Sequence, residues 1–483
     1  MNALSPVSQT AALPVIVIGA GPVGLAAAAH LLARGLPVKI LEAGSSVAAH
    51  VRDWGHIRLF SPWSYNIDRA ARALLERHGW QAPKPSLHPT GAELYAQYLK
   101  PLAEAPEMAA IIETDARVTA ISRAGFDRMK SAGREAAPFS LLIRKADGTE
   151  RREAARAVID ASGTWSTPNP IGSDGLPIPG EKEAGFRLAY GAPDVLGAEV
   201  DAYANKRVLV IGAGHSAANV LLDLARLRDR APETQIVWAV RGASLARLFG
   251  GGANDKLEAR GALGQALEAL VKSGGLALHR NSRVVALETG AHGIRASLQQ
   301  PSGAGEAVEV DRVIAATGQR PALNMLREIR LDLDPATESP RALAPLIDPN
   351  VHSCGTVRPH GHRELAQPEA GFYIAGIKSY GRAPTFLMAT GYEQVRSIAA
   401  ALAGDMAAAD DVQLDLPETG VCSTNLDSAG EPAGASSCCA TTCCDTPEVE
   451  PEPAASACCG KAAKTAAASQ PEKRVAVPAG SCC

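Results

Sequence analysis

Two glycine-rich turns have the spacing that binds the pyrophosphate group of a dinucleotide. The first follows a β-branched run at residues 15–18 and contains Gly19, Gly21 and Gly24. In this pattern the first glycine permits a tight bend, the second lets the backbone approach the phosphates, and the third lets a helix pack on the strand. The N-terminus of that helix offers N–H groups and a positive dipole to the phosphates. We therefore predict a dinucleotide site here.

An acidic residue marks the ribose end of this first site. Residues 37–41 form a second predicted strand, and Glu42 closes it, about twenty residues beyond the glycines. A carboxylate in that position accepts a hydrogen bond from a ribose hydroxyl and repels a 2′-phosphate. The first unit therefore suits FAD, whose adenosine ribose carries no phosphate.

The second turn repeats the pattern with the opposite charge at its end. It is formed by four residues: Gly212, Gly214, Ser216 and Ala217. The strand that follows, residues 235–240, ends in Arg241 instead of an acid. An arginine there can pair with a 2′-phosphate through two hydrogen bonds, and Arg247 is near enough in sequence to assist. The second unit therefore suits NADPH, and a solvated charge at a strand end is the alternative interpretation of Arg241.

Five further positions extend the predicted cofactor sites. They are Arg58, Gly163, Gly318, Gly376 and Thr385. Gly163 and Gly318 follow two similar apolar runs, at which we expect the chain to leave one domain for the next. From residue 374 the pattern predicts a return to the first domain, as a strand, a loop and a helix whose N-terminus stabilises negative charge on the flavin. Lys378 and Arg382 could do the same, but solvated surface charges are the default interpretation.

Two clusters leave alternatives open. The aromatic run at residues 54–63, which contains Arg58, is compatible with a wall for a flavin ring and equally with an ordinary hydrophobic cluster under a long loop. The segment with His352, Cys354, His360 and His362 could line a substrate pocket or bind zinc, although histidines in such a loop more often have no common role. The sequence identifies no catalytic acid or base, and hydride transfer to a flavin needs none.

The amino-acid composition limits the classes of protein to which this chain can belong. A hydrophobic fraction of 46% and a charged fraction of 20% are typical of soluble globular chains. The net charge of −3 gives no electrostatic case for binding nucleic acid or an anionic membrane. No window approaches the roughly 18 uninterrupted apolar residues of a membrane-spanning helix, and the N-terminus lacks the pattern of an export signal. We expect a cytoplasmic protein that acts on a small molecule.

The alternation of predicted strands and helices around the two turns indicates an α/β fold. We predict two Rossmann-like dinucleotide-binding domains, with the NADPH domain inserted into the FAD domain. The predicted FAD domain comprises residues 1–170 and 326–404, and the predicted NADPH domain comprises residues 171–325. A disordered tail is predicted for residues 405–483, where alanine, proline and small polar residues leave too little apolar surface for a core.

The cysteines separate this tail from the rest of the chain. Of ten cysteines, only Cys354 lies within the first 421 residues, as is typical of cytoplasmic enzymes. Adjacent cysteines supply pairs of soft ligands, so we predict that the tail binds a thiophilic ion such as As(III). The paired cysteines are Cys438, Cys439, Cys443, Cys444, Cys458, Cys459, Cys482 and Cys483. A general metal sponge or a redox shuttle fits the same pairs.

The two turns, their terminal residues Glu42 and Arg241, and the runs ending at Gly163 and Gly318 resemble one group of flavoproteins. These flavoproteins have two dinucleotide-binding domains and include flavin-containing monooxygenases and thioredoxin-reductase-like enzymes. The resemblance covers about residues 14–404. It implies FAD in the first unit, NADPH in the second, and hydride transfer from NADPH to the flavin between them.

The sequence differs from these relatives in two features. The first 421 residues contain no Cys-x-x-Cys pair, and the monooxygenase fingerprint is missing between Trp165 and Gly212. The segment from Tyr380 to Gly391 and the cysteine-rich tail look similar to flavoproteins associated with bacterial arsenic resistance. Three functions therefore stay open: an NADPH-linked FAD oxidoreductase of the monooxygenase type, an NADPH-dependent reductase of a thiol-bound metalloid or disulfide, and a non-enzymatic soft-metal-binding protein.

Overall fold

The computed structural model describes residues 12–246, 248–249, 257–350, 357–383 and 386–414. Several predicted residues lie outside these ranges, and their predictions stand on sequence alone. They are Arg247, His352, Cys354, Thr385 and the eight paired cysteines of the tail.

Strands and helices alternate through most of the described chain. The strands are β1 (Val15–Ile18), β2 (Val38–Leu41), β3 (Ile112–Glu113), β4 (Ala116–Arg123), β5 (Phe139–Lys145), β6 (Glu150–Ala155), β7 (Ala157–Asp160), β8 (Leu188–Tyr190), β9 (Arg207–Ile211), β10 (Gln235–Ala239), β11 (Ala277–His279), β12 (Arg283–Thr289), β13 (Ile294–Gln299), β14 (Gly305–Val310), β15 (Arg312–Ala315) and β16 (Phe372–Ile374). The α-helices are α1 (Pro22–Ala33), α2 (Ala49–Asp53), α3 (Trp63–Asn66), α4 (Arg69–Arg77), α5 (Gly91–Leu94), α6 (Lys100–Glu104), α7 (Pro106–Ala109), α8 (Val200–Tyr203), α9 (His215–Leu227), α10 (Glu258–Lys272), α11 (Ala344–Ile347), α12 (His362–Leu365), α13 (Met388–Leu402) and α14 (Met406–Asp410). Short 3-10 helices lie at Gly185–Arg187, Asn324–Leu326 and Gly376–Tyr380.

The first sheet is parallel and joins the two ends of the described chain. Its strand order is β16–β7–β1–β2–β3. Every residue of β1 and β7 is buried, because a parallel sheet is covered on both faces and its strands are continuous apolar runs. Since β16 pairs with β7, the chain returns near residue 372 to the sheet that it began at residue 15.

The second sheet is also parallel and has the order β11–β10–β9–β15–β8. All its strands lie between residues 188 and 315, so this whole unit is inserted between β7 and β16 of the first sheet. The buried face of α9 packs against this sheet in a separate hydrophobic core that includes Val208, Leu221 and Trp238.

A three-stranded antiparallel layer covers the other face of each parallel sheet. Strands β4, β5 and β6 pack on the first sheet, where Phe139 and Ile143 meet Ile16. Strands β12, β13 and β14 pack on the second sheet in the same way, with Ile294 and Leu298 in a shared core. Alternating apolar residues explain these layers, because one face of each antiparallel sheet is buried and the other is not.

The helix α1 is enclosed. Its alanine-rich sequence leaves almost no polar face, and α13 packs along it on the side opposite the sheet. Buried side chains run without interruption from Ala389 to Ala400 in α13. Within the described ranges, no helix combines the length and apolar character needed to cross a bilayer.

The predicted fold class is confirmed: the chain is an α/β protein with two Rossmann-like domains, the second inserted into the first. The domain boundaries proposed above stay predictions. A capping box formed by Thr90 and Glu93 begins α5, which gives way to a π-helical turn at Tyr95–Leu99.

The predicted disordered tail is wrong at its start. Residues 405–414 are ordered, and Asp405 caps α14 by accepting a hydrogen bond from the N–H of Ala408 at 3.1 Å. Asp410 lies 2.8 Å from the Nε2 atom of His362, and the Arg396 guanidinium donates to the Ala408 carbonyl at 2.6 Å. Composition alone does not reveal these contacts, because their partners lie in α12 and α13.

Candidate functional site

The first glycine turn lies at the carboxyl end of β1, the end at which parallel α/β sheets bind ligands. Gly19 has a φ of +97°, which residues with side chains rarely adopt. A Cβ on Gly24 would overlap the carbonyl oxygen of Gly19, so α1 packs against the turn backbone to backbone. A Cβ on Gly21, by contrast, would meet no protein atom within 4 Å. The space beside Gly21 is therefore open to a phosphate group.

The N-terminus of α1 also fits an anion. Gly21 is the N-cap residue, and it has no side chain that could accept a hydrogen bond from the first N–H groups of the helix. The first turn contains no acidic residue either. Uncapped N–H groups and the helix dipole both favour a negatively charged ligand at this point, so the turn fits the pyrophosphate of FAD.

Glu42 connects the second strand to the glycine turn. The N–H of Ala20 donates to its Oε2 atom at 2.7 Å, and the N–H of Gly44 donates to its Oε1 atom at 2.7 Å. Each carboxylate oxygen has two lone pairs, so each keeps one acceptor position for a ribose hydroxyl. The half-buried carboxylate is thus fixed in place and still able to bind a ribose.

Two later segments of the chain close around the same turn. The carbonyl oxygen of Ala161 is 2.8 Å from the position of a Cβ on Gly19. Gly163 follows two residues later, so the first domain exit runs beside the turn. A Cβ on Gly376 would be 3.4 Å from the side chain of Val23, which places the returning segment against the first turn of α1. The structure therefore brings Gly163 and Gly376 together with the first turn.

A buried ion pair joins these two segments. The Nζ atom of Lys378 donates to Asp160 Oδ2 at 2.7 Å and to Ser162 Oγ at 3.0 Å, and the side chains of Lys378 and Asp160 are both 0% exposed. The expectation that Lys378 is a solvated surface charge is therefore wrong. A buried ammonium group requires such a partner, and the sequence could not reveal one 218 residues away.

Arg382 agrees better with the interpretation as a solvated surface charge. Its Nε atom donates to Glu338 Oε2 at 2.6 Å, and both side chains are partly exposed. Neither Lys378 nor Arg382 is a free charge directed at the flavin.

A hydrogen-bond chain supports the backbone at Gly376. The N–H of Gly376 donates to Gln394 Oε1 at 2.8 Å, and Gln394 Nε2 donates to His360 Nε2 at 2.8 Å. Burial lowers the pKa of His360, which keeps its imidazole neutral and able to accept this bond. His362 pairs separately with Asp410, and the described residues contain no group of three or more His, Cys, Asp or Glu that could hold a metal ion.

The second glycine turn has the same geometry in a more open setting. Gly212 has a φ of +131°, and a Cβ on it would overlap the carbonyl oxygen of Ala316. A Cβ on Gly214 would meet no protein atom within 4 Å. Ala217 is buried where the first turn has its third glycine, and Ser216 is exposed. The helix α9 begins here with no side-chain cap and no acid in its first turn, so this site also fits a pyrophosphate.

Arg241 lies just beyond the carboxyl end of β10 and is exposed. Its Nη1 atom donates to the carbonyl oxygen of Ser173 at 3.2 Å, and no carboxylate in the described ranges pairs with it. Most of its N–H donors are therefore available to a ligand.

The two connections between the domains lie side by side. The N–H of Asn169 donates to the carbonyl oxygen of Gly318 at 2.9 Å, and Thr317 Oγ1 donates to the carbonyl oxygen of Asn169 at 2.6 Å. Thr164 Oγ1 also donates to the Gln319 side chain at 3.1 Å. Gly318 thus belongs to the junction between the domains.

The aromatic run at residues 54–63 divides into two parts. Trp54 and Trp63 pack in the core of the first domain, as the hydrophobic-cluster interpretation predicts. Phe60 instead contacts the second domain, where its ring centroid lies 4.9 Å from that of His215. The sequence offered no signal for this contact, because the partners lie in different domains.

Arg58 makes its contacts within the same loop region. Its Nη1 atom donates to the carbonyl oxygen of His88 and lies 3.7 Å from the carboxylate of Glu93. The side chain is 61% exposed. Its assignment to the FAD site stays a prediction.

The sequence model of the pyridine nucleotide-disulphide oxidoreductase family matches residues 13–367. The chain belongs to this family. As a pyridine nucleotide-disulphide oxidoreductase it is an FAD-dependent enzyme that uses NAD(P)H, and the two phosphate-accepting turns described above fit these two cofactors.

The curated relatives are matched over only part of their length. The indole-3-pyruvate monooxygenase YUCCA1 of Oryza sativa subsp. japonica is 32% identical over 219 residues, which are 44% of this chain and 45% of that protein. The chain thus spans less than half the length of this relative.

Solved structures are similar to this oxidoreductase over both of its domains. A bacillithiol disulfide reductase from Bacillus cereus has a TM-score of 0.60 at 19% identity, over 81% of this chain and 99% of that one. The reduced form of ornithine hydroxylase from Pseudomonas aeruginosa has a TM-score of 0.55 at 19% identity, over 82% of this chain and 99% of that one. At these identities the likeness shows the shared fold, which occurs in a disulfide reductase and in a hydroxylase.

Proposed function

We propose that this chain is an NADPH-dependent FAD oxidoreductase of the monooxygenase type. The observation that carries the proposal is the pair of glycine turns that end in opposite charges, Glu42 in the first unit and Arg241 in the second. When bound, FAD supplies two-electron chemistry, accepting a hydride from NADPH and passing the electrons to an acceptor. The residues of the chain hold both nucleotides, orient them and exclude water.

In the first unit, the backbone at Gly21 and the N-terminus of α1 hold the pyrophosphate of FAD. Glu42 accepts hydrogen bonds from the hydroxyls of the adenosine ribose. Two backbone N–H groups orient the carboxylate at 2.7 Å, so little side-chain freedom is lost when the ribose arrives. Preorganisation of this kind favours a tightly bound cofactor.

In the second unit, Gly214 and the N-terminus of α9 hold the pyrophosphate of NADPH. Arg241 supplies the preference for NADPH over NADH, because a guanidinium group has five N–H donors and can bind a 2′-phosphate through two of them. Its exposed side chain has one hydrogen bond to a carbonyl among the described contacts, which leaves that fork available.

Two observations favour molecular oxygen as the acceptor. The described ranges contain no cysteine, so they offer no dithiol beside the flavin site. The matched curated relatives carry the name indole-3-pyruvate monooxygenase. The balanced reaction consumes NADPH, one proton, O₂ and a small-molecule substrate, and it yields NADP⁺, water and the oxygenated substrate.

The cysteine-rich tail supports a second candidate function. Four pairs of adjacent cysteines follow residue 437, and paired thiolates are soft ligands for a metalloid ion such as As(III). In this candidate two electrons pass to a disulfide, which becomes two thiols, or to a thiol-bound As(V) species, which becomes As(III), and the enzyme contributes to metalloid resistance. The single cysteine among the first 421 residues fits a cytoplasmic location for either function.

Anaerobic reduction of the full-length, flavin-loaded protein tests the first proposal. We expect NADPH to bleach the flavin at least about tenfold more efficiently than NADH, because a charge-assisted pair with the 2′-phosphate is lost with NADH. The Arg241→Ala variant is the matched control and should reduce this ratio toward one. If neither nucleotide bleaches the flavin, the proposal is wrong.

Reoxidation of the reduced protein distinguishes the two candidates. O₂, arsenate and a disulfide are added separately to the natural chain and to a variant with all eight paired cysteines replaced by alanine. Rapid reoxidation by O₂ in both proteins supports the monooxygenase type. Reoxidation by the disulfide or by arsenate that the alanine variant loses supports the reductase.

A further inference from the structure

A first-domain segment contacts the first residue of the helix that follows the second glycine turn. The segment is residues 56–60, and the helix α9 begins at His215. The ring of Phe60 packs on the ring of His215 with 4.9 Å between centroids and 59° between planes. Phe60 lies at the end of α9 that would hold a pyrophosphate.

The segment is held firmly by the first domain. Arg58 forms an antiparallel bridge with Thr90, and the N–H of Leu59 donates to the carbonyl oxygen of Pro89 at 2.9 Å. The capping box at Thr90 in turn begins α5. Phe60 is thus presented to the second domain from a fixed backbone.

We propose that Phe60 is a positioning residue for the nicotinamide nucleotide. The inference rests on the proposed function, which places NADPH on the second turn. His215 directly follows Gly214, so Phe60 contacts the turn that holds the pyrophosphate. Phe60 thereby sets the distance between this turn and the first domain, and a displacement of about 1 Å can lower a transfer rate about 100-fold.

The test is Phe60→Ala in the full-length, flavin-loaded protein. We expect the rate constant of flavin reduction at saturating NADPH to fall about 10- to 100-fold. The NADP⁺ dissociation constant, measured by equilibrium dialysis, should change less than about threefold, because the pyrophosphate contacts remain. FAD content and the thermal midpoint should match the natural chain. Phe60→Tyr keeps the ring and should restore the rate.

Two further variants control this result. Phe186→Ala removes an aromatic ring that is 82% exposed and should leave the rate of reduction unchanged. His215→Ala should slow reduction, and the double variant with Phe60→Ala should be no slower than the slower single variant, because both act through one contact.

Two outcomes would overturn the inference while leaving the proposed function intact. In one, Phe60→Ala is reduced as fast as the natural chain. In the other, it loses FAD, which would assign Phe60 to the flavin site instead. If the natural chain is reduced by neither nucleotide, the proposed function fails and the inference fails with it.

Discussion

The two glycine turns share one backbone pattern but differ in how the protein surrounds them. Gly19 and Ala20 are buried, and α1 is covered by the sheet on one side and by α13 on the other. In the second unit Ala213, Gly214 and Ser216 are exposed, and α9 is only partly buried along its length. The first turn is therefore enclosed and the second is open.

This difference has a direct functional meaning. A cofactor that stays bound through many turnovers is held best by an enclosed site, whereas a nucleotide consumed in each turnover must enter and leave. Enclosure thus supports our proposal that FAD binds the first unit and NADPH the second, and this support is independent of the charges on Glu42 and Arg241. Four experiments test the contrast, beginning with the largest expected effect.

The first experiment removes the buried ion pair between Lys378 and Asp160 in the enclosed first unit. Lys378→Met leaves Asp160 charged and unpaired at zero exposure, so we expect the free energy of unfolding to fall by about 3–5 kcal/mol. The matched control is Arg382→Met, which breaks a partly exposed pair with Glu338 and should cost about 0–1 kcal/mol. Urea titration measures both, and equal losses would contradict a special role for the buried pair.

The first turn is packed more tightly than the second. Substitutions at the third position of each glycine pattern test this difference. In Gly24→Ala the new Cβ would overlap the Gly19 carbonyl oxygen, so we expect about 1–3 kcal/mol of destabilisation and loss of FAD. Ala217→Gly should cost about 1 kcal/mol through helix propensity and leave the FAD content unchanged. Flavin absorbance per protein and urea titration give the result. Full FAD content in Gly24→Ala would count against this account.

The charges at the two ribose ends can be tested separately. Arg241→Ala should lower the preference for NADPH over NADH about 10- to 100-fold, because it removes charge-assisted hydrogen bonds to the 2′-phosphate. Glu42→Gln should instead lower the FAD content and leave the nicotinamide preference unchanged. Steady-state kinetics with each nucleotide measure the first effect. An unchanged preference in Arg241→Ala would support the solvated-charge interpretation.

The smallest expected effect concerns pH. Burial lowers the pKa of His360 below 6.5, so just below pH 6.5 the unfolded chain binds more protons than the folded chain. Stability should therefore fall as the pH drops from 6.5 toward the folded-state pKa, by at most about 1.4 kcal/mol per pH unit. Urea titrations across this range should show a weaker dependence in His360→Gln than in His292→Gln, whose side chain is exposed. Equal slopes in both variants would contradict the prediction.

Local patterns made the fold and both nucleotide turns predictable. The glycines, Glu42 and the strands around them lie within about 25 residues of one another, so their spacing reflects their geometry directly. The pair between Lys378 and Asp160 was not predictable, since its partners are 218 residues apart and only the fold brings them together. Asp160, at the end of an apolar run, was nevertheless a usable signal, because a charge there requires a partner.

The contact between Phe60 and His215 shows the same limit, because it joins residues of different domains. The ordered start of the tail was missed for a related reason. Residues 405–414 look too polar for a core, yet their contacts with α12 and α13 order them. What was missed depends on partners that are distant in sequence.

The paired connections at Asn169 and Gly318 bring the beginning and the end of the second domain to one place. A short linker between them would close the host sheet of β7 and β16 without this domain. The same geometry suits the origin of such a protein by insertion of one gene segment into another. The host domain needs only a single surface position at which its chain can be interrupted.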